Sequence, residues 1–500
     1  MANDISSKHP AYSSNLREWT KLRDCYGGEG VVKDAGQTYL PPTPGHVADG
    51  MDNPNADGYK NYMGYLSRAR FPDFVSQSIE ALVGILHHKP ATIELPAAME
   101  SLLDNATVKG ESLEGLLRRI NEEQLITGRL GILADVPDGA PVGVMPYIAM
   151  YKAEDIINWD DGKREDPVKQ NLNFVVLDES EQERIDIFNW EQKEKYRVLM
   201  LGDPQDNESA DEGVVYSMGV FRKEAEGTTF NQEAMMEPSI AGENLDQIPF
   251  VFINSKDLVS DPDDPPLLGL ADLSIAVYRA EADYRQALFM QGQDTLVVVG
   301  SLLDEDGDDG KETRVGAGAK LNVMQGGDAK YIGVSSTGLP EMRSALENDR
   351  REAAEIGGKL LDTRGGDAES GEALRIRVSA RTASLTQIAK AGAEGLQMML
   401  RIMAEWVGAN PEEVIVEPNL DFADDTIDGR TMVDWMTAKR LGLPLSLESI
   451  HRKLQEKDLT ELEFEEEVGK IEEETDLAGG LGTDAGGDPN DDQGNSDGDE

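Results

Sequence analysis

The chain has 500 residues, 39% of them apolar, and carries 96 Asp and Glu against 47 Lys and Arg for a net charge of −49. That length predicts two to four domains or subdomains with sizeable cores. The acidity excludes a protein that wraps nucleic acid by neutralising phosphates. Residues 461–500 hold sixteen acids and one lysine, which is −15, so the other 460 residues still carry −34. No apolar run approaches the ~18 residues of a membrane span, and the opening MANDISSKHP predicts no secretory signal. Cys25 is the only cysteine, so no intrachain disulfide forms, and five scattered histidines argue against a zinc cluster.

In chain order, residues 28–58 are dominated by Gly, Pro, Asn and Asp and predict an irregular arm or loop. In 69–90, Phe74, Ile79, Leu82, Val83 and Leu86 make a helical stripe that ends before Pro90. The segment 111–128 repeats the pattern with Leu113, Leu116, Leu117, Ile120 and Leu125, and Gly128 as its stop. From 129 to about 255 short strand-like runs follow: RLGILADVP, YIAMY, NFVVLD, RIDIFNW, YRVLML, GVVYSMGVF and IPFVFIN. RIDIFNW-EQKEK-YRVLML predicts one hairpin, and the connector SDPDDPPLLG a subdomain boundary.

Beyond it, Leu270, Leu273, Val277, Ala280, Tyr284 and Leu288 form one narrow seam on an otherwise polar helix. Strand-like TLVVVG, KLNVMQ and KYIGV then precede a second helix with Leu339, Met342, Leu346, Ala353, Ile356 and Leu360 on one side and a ladder of Glu347, Arg351, Glu355 and Lys359 on another. A compact insert of about forty residues brings its ends together, so the expectation is an antiparallel helix pair with a β lobe. Its narrow stripes leave it in need of neighbours, which lateral copies of the chain would supply. After a glycine-broken loop, 371–408 predicts a long helix with Leu385, Ile388, Leu396, Met399, Leu400, Met403 and Trp406 facing a core, and Gly392 and Gly395 as kinks. Two or three shorter helices follow. Residues 476–500, without Lys, Arg or aromatics, predict disorder.

Nothing in this order reads as an active site. GAGAKLN and TRGGDAESG lack the spacing of a phosphate loop, and GVSSTG has Thr337 where a nucleophile elbow needs glycine. His87 and His88 have no spaced third ligand and suit a helix end. Asp178, Glu191 and Lys193 form a nuclease-like set only if the predicted hairpin turn is ignored. Arg375, Arg377 and Arg381 open the long helix, where positive charge opposes the helix dipole. Either Asp367, Glu369 and Glu372 compensate them in a subunit-interface network, or phosphate does, with Arg364 in the loop as the better phosphate contact.

The blocks YSSNLREWTKLRDCYGGEGVVKDAGQTYLP, YKNYMGYLSRARFPDFVSQSIEALVGILHHKP and QLITGRLGILADVP, in that order, resemble those of a subfamily of tailed-bacteriophage portal proteins catalogued as a domain of unknown function. The resemblance spans roughly residues 10–430 and implies an α+β portal fold. Its parts would be a wing at 1–268, stem helices at 269–292 and 338–361, a clip at 293–337, a tunnel loop at 362–372, a wing helix and return at 373–427, a helical crown at 428–475 and an acidic tail at 476–500. It further implies a non-enzymatic ring, of twelve subunits in most of the family, at one capsid vertex of the virion, assembled in the host cytoplasm. No cofactor or metal is implied. Double-stranded DNA would pass through without sequence preference, and the implied protein partners are the terminase large subunit, a head-tail adaptor, the major capsid protein and a scaffold, with no membrane. DNA-facing residues would be Asp362, Thr363, Arg364, Gly365, Gly366, Asp367 and Glu369 in the loop; Glu347, Arg351, Glu355 and Lys359 would be stem residues, and Lys311, Arg314 and Lys320 clip residues. The competing readings are a packaging nuclease or ATPase and another ring-forming head protein.

Overall fold

A computed structural model describes residues 5–136, 144–161, 172–202, 215–223, 230–232, 235–240, 243–291, 295–299, 302–303, 322–323, 326–332, 338–353, 356, 371–420, 422, 429–441, 446–455, 460 and 462–471. The chain forms two units, Met1–Phe422 and Ala423–Glu500. It is α+β, with helices and antiparallel strands segregated along the chain.

The larger unit begins with helices α1 (Pro10–Gly27), α2 (Asp57–Arg68), α3 (Phe74–Leu86) and α4 (Leu113–Thr127). Ser112 caps α4 by accepting from the Gly115 amide, and Gly128 ends it at φ 75°, a left-handed conformation that costs glycine little. The segment 28–58, expected to be an irregular arm, is packed instead. Val32, Tyr39, Leu40 and Met51 are buried, Tyr39 donates to Asp24 at 2.6 Å, and Tyr62 of α2 donates to the Leu40 carbonyl at 2.9 Å. Its turn residues are the corners of short helical pieces, and its scattered apolar side chains anchor them.

Strand β1 (Thr92–Glu94) precedes α4, and β2 (Arg129–Asp135) follows directly on Gly128. β2 is buried along its whole length because it is the central strand of a three-stranded sheet, between β3 (Tyr147–Lys152) and a returning strand near residue 250. A five-stranded antiparallel meander is built from β4 (Ile156–Asp161), β5 (Leu172–Asp178), β6 (Lys195–Leu201), β7 (Tyr216–Lys223) and β8 (Phe230–Gln232). The returning strand, β9, is Phe250–Asn254.

The predicted pairing of RIDIFNW with YRVLML is not what forms. β6 pairs with β5, Phe174 opposite Met200, and a separate hairpin joins Glu181–Arg184 to Trp190–Lys193. Residues 185–189 are its tip. The alternation of Ile185, Asp186 and Ile187 imitates a strand, but the Asp186 carboxylate accepts from the amides of Phe188 and Asn189 and closes a turn.

Helices α5 (Leu268–Gln291), α6 (Leu339–Ala353) and α7 (Gly371–Val407) complete the unit. Between α5 and α6 lie β10 (Thr295–Val299) and β11 (Asp328–Ile332), paired antiparallel. A last strand, β12 (Ile415–Glu417), pairs with β1. Two hydrophobic cores result. One joins α4, both larger sheets and the second half of α7, including Leu396, Met399, Leu400, Met403 and Trp406. The other joins α1–α3, the first half of α5, and Leu385 and Ile388 of α7.

Gly392 and Gly395, expected as kinks, are places of close approach on a continuous helix. A Cβ on Gly392 would stand 2.4 Å from Asn121 Nδ2, and one on Gly395 would stand 2.5 Å from two carbons of Ile253. Only a bare Cα lets α7 lie against α4 and β9 at once.

Arg129 is the unusual core residue. It is 1% exposed, and none of its three side-chain nitrogens has a hydrogen-bond partner. Its guanidinium instead lies 4.1 Å from the Trp159 ring and 4.3 Å from the Phe252 ring, and burial pushes its pKa down to about 9.

In the smaller unit, helices α8 (Gly429–Arg440) and α9 (Leu447–Gln455) are described. His451 and Gln455 of α9 both bond the Leu462 carbonyl, and His451 packs edge-on to Phe464.

Two stability predictions follow from this packing. Gly395→Val drives two branches into Ile253, so urea unfolding should show a loss of about 2 kcal/mol, an overpacking cost beyond the helix-propensity gain. Arg129→Met fills the same slot between Trp159 and Phe252 without a charge. Its unfolding midpoint should rise, because desolvation of an ion without acceptors costs several kcal/mol and ring contacts return only about 2.

Candidate functional site

The segment from α5 to α7 holds most of the residues singled out above. α5 and α6 pack side by side, and their direction follows from two contacts. Glu281 meets Arg350, and Thr295 pairs with Ile332, so the chain leaves along α5 and returns along α6. Between them, Glu281 is 3% exposed. Its Oε1 accepts from Arg285 Nε at 2.6 Å, and its Oε2 from Arg350 at 2.9 Å. One buried carboxylate thus takes a cation from its own helix and another from the returning one.

α5 is fastened to the N-terminal helices along its length. Lys21 of α1 pairs with Asp272 at 2.6 Å, Arg279 donates to the Tyr39 carbonyl at 2.7 Å, and Tyr65 of α2 donates to Asp283 at 2.6 Å. Burial, and then that bond to Asp283, pushes the Tyr65 phenol well above its usual range. Further along, Arg68 donates to Gln286 and stacks 4.0 Å from the Phe289 ring. The predicted seam is therefore only part of the contact face. Leu270, Ala271, Ser274, Ile275, Val277, Tyr278, Glu281 and Ala282 are buried. Of the predicted seam only Leu270 and Val277 are fully buried, and Leu273, Ala280 and Tyr284 are half-buried. The face shifts to include the polar Ser274 and Glu281, because α1, α2 and α3 flank the helix within the same chain. Beyond Tyr284 the face opens, and Leu288, Phe289 and Met290 are exposed. On α6, Leu346 and Ala353 are buried, and Ile356 beyond its end is exposed.

On the predicted ladder of α6, Glu347 accepts from Arg343 at 2.8 Å, and Arg351 bonds Asn348 at 3.2 Å. Glu355 and Lys359 lie outside the described residues, as do Lys311, Arg314 and Lys320 and the loop from Asp362 to Ser370, with Thr363, Arg364, Gly365, Gly366, Asp367 and Glu369. Gly371 and Glu372, expected in the loop, open α7. The backbone of α7 carries Arg375, Arg377 and Arg381, whose side chains also lie outside the described set.

The other candidate motifs disperse. His87 follows α3 and bonds Asn121 at 2.8 Å, while His88 bonds the Ile85 carbonyl at 3.1 Å, so the pair caps a helix end. Burial holds the His87 imidazole below its usual range. Asp178 accepts from the Ser180 amide on β5, whereas Glu191 and Lys193 sit on the exposed hairpin strand Trp190–Lys193, not in a turn. Among the described residues no group of His, Cys, Asp and Glu is arranged to hold a metal ion, and no described helix is long and apolar enough to cross a membrane.

Two ionic networks went unread in the sequence. Arg197 of β6 joins Asp135 of β2 and Glu179, and Glu179 also takes Lys195 at 2.8 Å and the Tyr151 hydroxyl at 2.7 Å. These bonds tie the two larger sheets together. Arg23 of α1 lies between Glu123 of α4 and Glu154, at 2.8 and 2.9 Å. The only local cue to either of these, or to the α5–α6 clamp, is the four-residue spacing of Glu281 and Arg285. Their other partners are distant in the chain.

Residues 266–407, less than a third of the chain, match the family described as Domain of unknown function (DUF4055). No curated protein matches. Among solved structures, the chain is similar to one titled "Virion of native gene transfer agent (GTA) particle", at 16% identity and a TM-score of 0.38, over 76% of this chain and 89% of that one. It is also similar to "Neck of native GTA particle computed with C12 symmetry", at 14% and 0.35, over 75% and 88%. A third is "Neck of empty GTA particle computed with C6 symmetry", at 14% and 0.37, over 76% and 89%. Likeness this low carries no function across to the chain.

Glu281→Ala should lower stability by about 2 kcal/mol, less than for a fully buried pair because Arg285 and Arg350 can rehydrate. Hydrogen exchange should place the loosening at the α5–α6 contact rather than in the sheets.

Proposed function

We propose that this chain is the subunit of a portal, a closed ring at one vertex of a phage-type capsid through which double-stranded DNA enters and leaves. The observation that carries the reading is the α5–strand–α6 excursion. Two long helices, clamped to each other at Glu281, are rooted in the helical core at one end and leave it with exposed Leu288, Phe289 and Met290 at the other. This excursion lies in the segment matched to DUF4055, and the ordered blocks quoted above resemble portal sequences over a much longer stretch.

In this role the excursion is stem and clip, and the helices around the ring axis form the wall of a conduit. A net charge of −49 suits such a wall, because repulsion of phosphate avoids the counterion-release affinity that would stall sliding DNA. The loop at 362–372 would be the narrowest point, with Arg364 making weak contacts to the backbone and its glycines letting it yield. The ring does no chemistry in this reading. It docks a terminase during packaging and an adaptor afterwards, and it sits in the shell of the major capsid protein.

Native mass spectrometry and electron-microscope class averages of the purified chain test the proposal. Closed rings of about twelve copies around a central hole are expected. A chain that stays monomeric at high concentration overturns it.

A further inference from the structure

The hairpin Glu181–Arg184/Trp190–Lys193 ends in a tip that no other described part of the chain covers. Phe188 is 84% exposed and Trp190 61%, with Ile185 and Ile187 beside them. Four large apolar residues on one protrusion are not a random scatter of surface hydrophobics. The tip is also held in shape. The Asp186 carboxylate accepts from the Phe188 amide at 2.7 Å, the Asn189 amide at 2.9 Å and Asn189 Nδ2 at 2.6 Å. Arg184 donates to the carbonyls of Asp186 and Ile187. A tip ordered before contact loses little entropy on docking. Around it stand the acids Glu183, Asp186 and Glu191, with the base Arg184 beside them, while Glu181 lies at the far end of the hairpin opposite Lys193.

A second uncovered surface has the opposite character. A groove of about 550 Å³ between α1 and α5 has an apolar floor of Leu16, Tyr39 and Ile275 and a basic rim of Arg17, Lys21 and Arg279. Asp272 engages Lys21, and Arg17 has no ion pair among the described residues.

We propose that the hairpin tip of one copy seats in the α1–α5 groove of the next copy. The fit is apolar against apolar, with acid flanks against a basic rim. Both surfaces are exposed in the single chain, so the tip does not fill its own groove. Because tip and groove are different surfaces, the contact is heterologous, and repetition around an axis closes a ring. This proposal rests on the ring reading and specifies its contact.

The test uses cysteines on the full chain. Cys25 does not interfere, since it is fully buried and burial pushes its thiol up to about 12. Phe188→Cys and Ala276→Cys chains, the second carrying its cysteine in the groove, are mixed and treated with a short bismaleimide. Dimers should form in the mixture and in neither variant alone, while the double variant should give a ladder up to the closed ring. Phe188→Ser/Trp190→Ser and, separately, Arg17→Glu alter exposed side chains only, and each should raise the concentration for half-assembly at least tenfold.

Wild-type rings without cross-links in the mixture overturn the tip-to-groove contact and leave the ring intact. That pattern would place the tip against another component, such as the shell. Cross-linking of Phe188→Cys alone overturns it in favour of tip-to-tip pairing. A wild-type chain that never assembles overturns the ring reading and this contact together.

Discussion

The fold of the larger unit depends on how closely α7 approaches its neighbours. At Gly392 and Gly395 the helix backbone rests on Asn121 of α4 and Ile253 of β9, with no side chain between them. Beneath this contact runs a buried polar relay. His87 bonds Asn121, Asn121 donates to Gln124 at 2.8 Å, and Gln124 donates to the Asn254 carbonyl at 2.6 Å. The Asn254 amide in turn reaches the carbonyls of Val259 and Asp261 at 3.0 and 2.8 Å. Each of these groups would be costly if left unpaired in the core. The relay therefore fixes α3, α4, β9 and the proline-rich connector as one set, and that connector leads directly into α5. A rigid root for the α5–α6 excursion is the consequence.

The same economy shapes the electrostatics. Cations are fewer than anions by half, and several are turned inward. Arg23 and Arg197 hold carboxylate pairs, Arg129 lies between aromatic rings, and Arg285 and Arg350 clamp Glu281. All of these cations except Arg129 take carboxylates with them, so the surface keeps the acidity that the composition gives. A surface of that kind repels polyanions at range. In the groove between α1 and α5, Lys21 and Arg279 are bonded within the chain, and Arg17 is the base without an ion pair among the described residues.

How much of this was legible depended on how local each signal is. The stripes of α3 and α4, the stop at Gly128 and most strands were readable because periodicity and capping act within a few residues. RIDIFNW failed because an aspartate that bonds the backbone two and three residues on looks, in one dimension, like the polar half of a strand. Gly392 and Gly395 failed because a glycine in a helix is equally consistent with weakness and with contact, and only the partner decides. The α5 seam was too narrow because Ser274 and Glu281 are polar by type and buried by circumstance. Of the candidate site, the helices that frame it were legible. The clamp at Glu281 was not, since Arg350 is sixty-nine residues away in the chain.

The expectation that lateral copies of the chain would supply the helix pair's neighbours missed what the chain supplies itself. The first half of α5 is satisfied within the chain by α1, α2 and α3, and tyrosine, lysine and arginine contacts bind it there. The second half is not. Burial falls away after Ala282, and the last turn presents Leu288, Phe289 and Met290 with only Arg68 lying over one of the rings. A helix that begins in a core and ends in solvent with an apolar turn would be a poor use of burial in a monomer. It is better suited to a place where the distal halves of several such pairs stand side by side. Rooting each pair by hydrogen bonds in its own chain sets its direction, so that in the proposed ring neighbouring copies would need only to cover the ends.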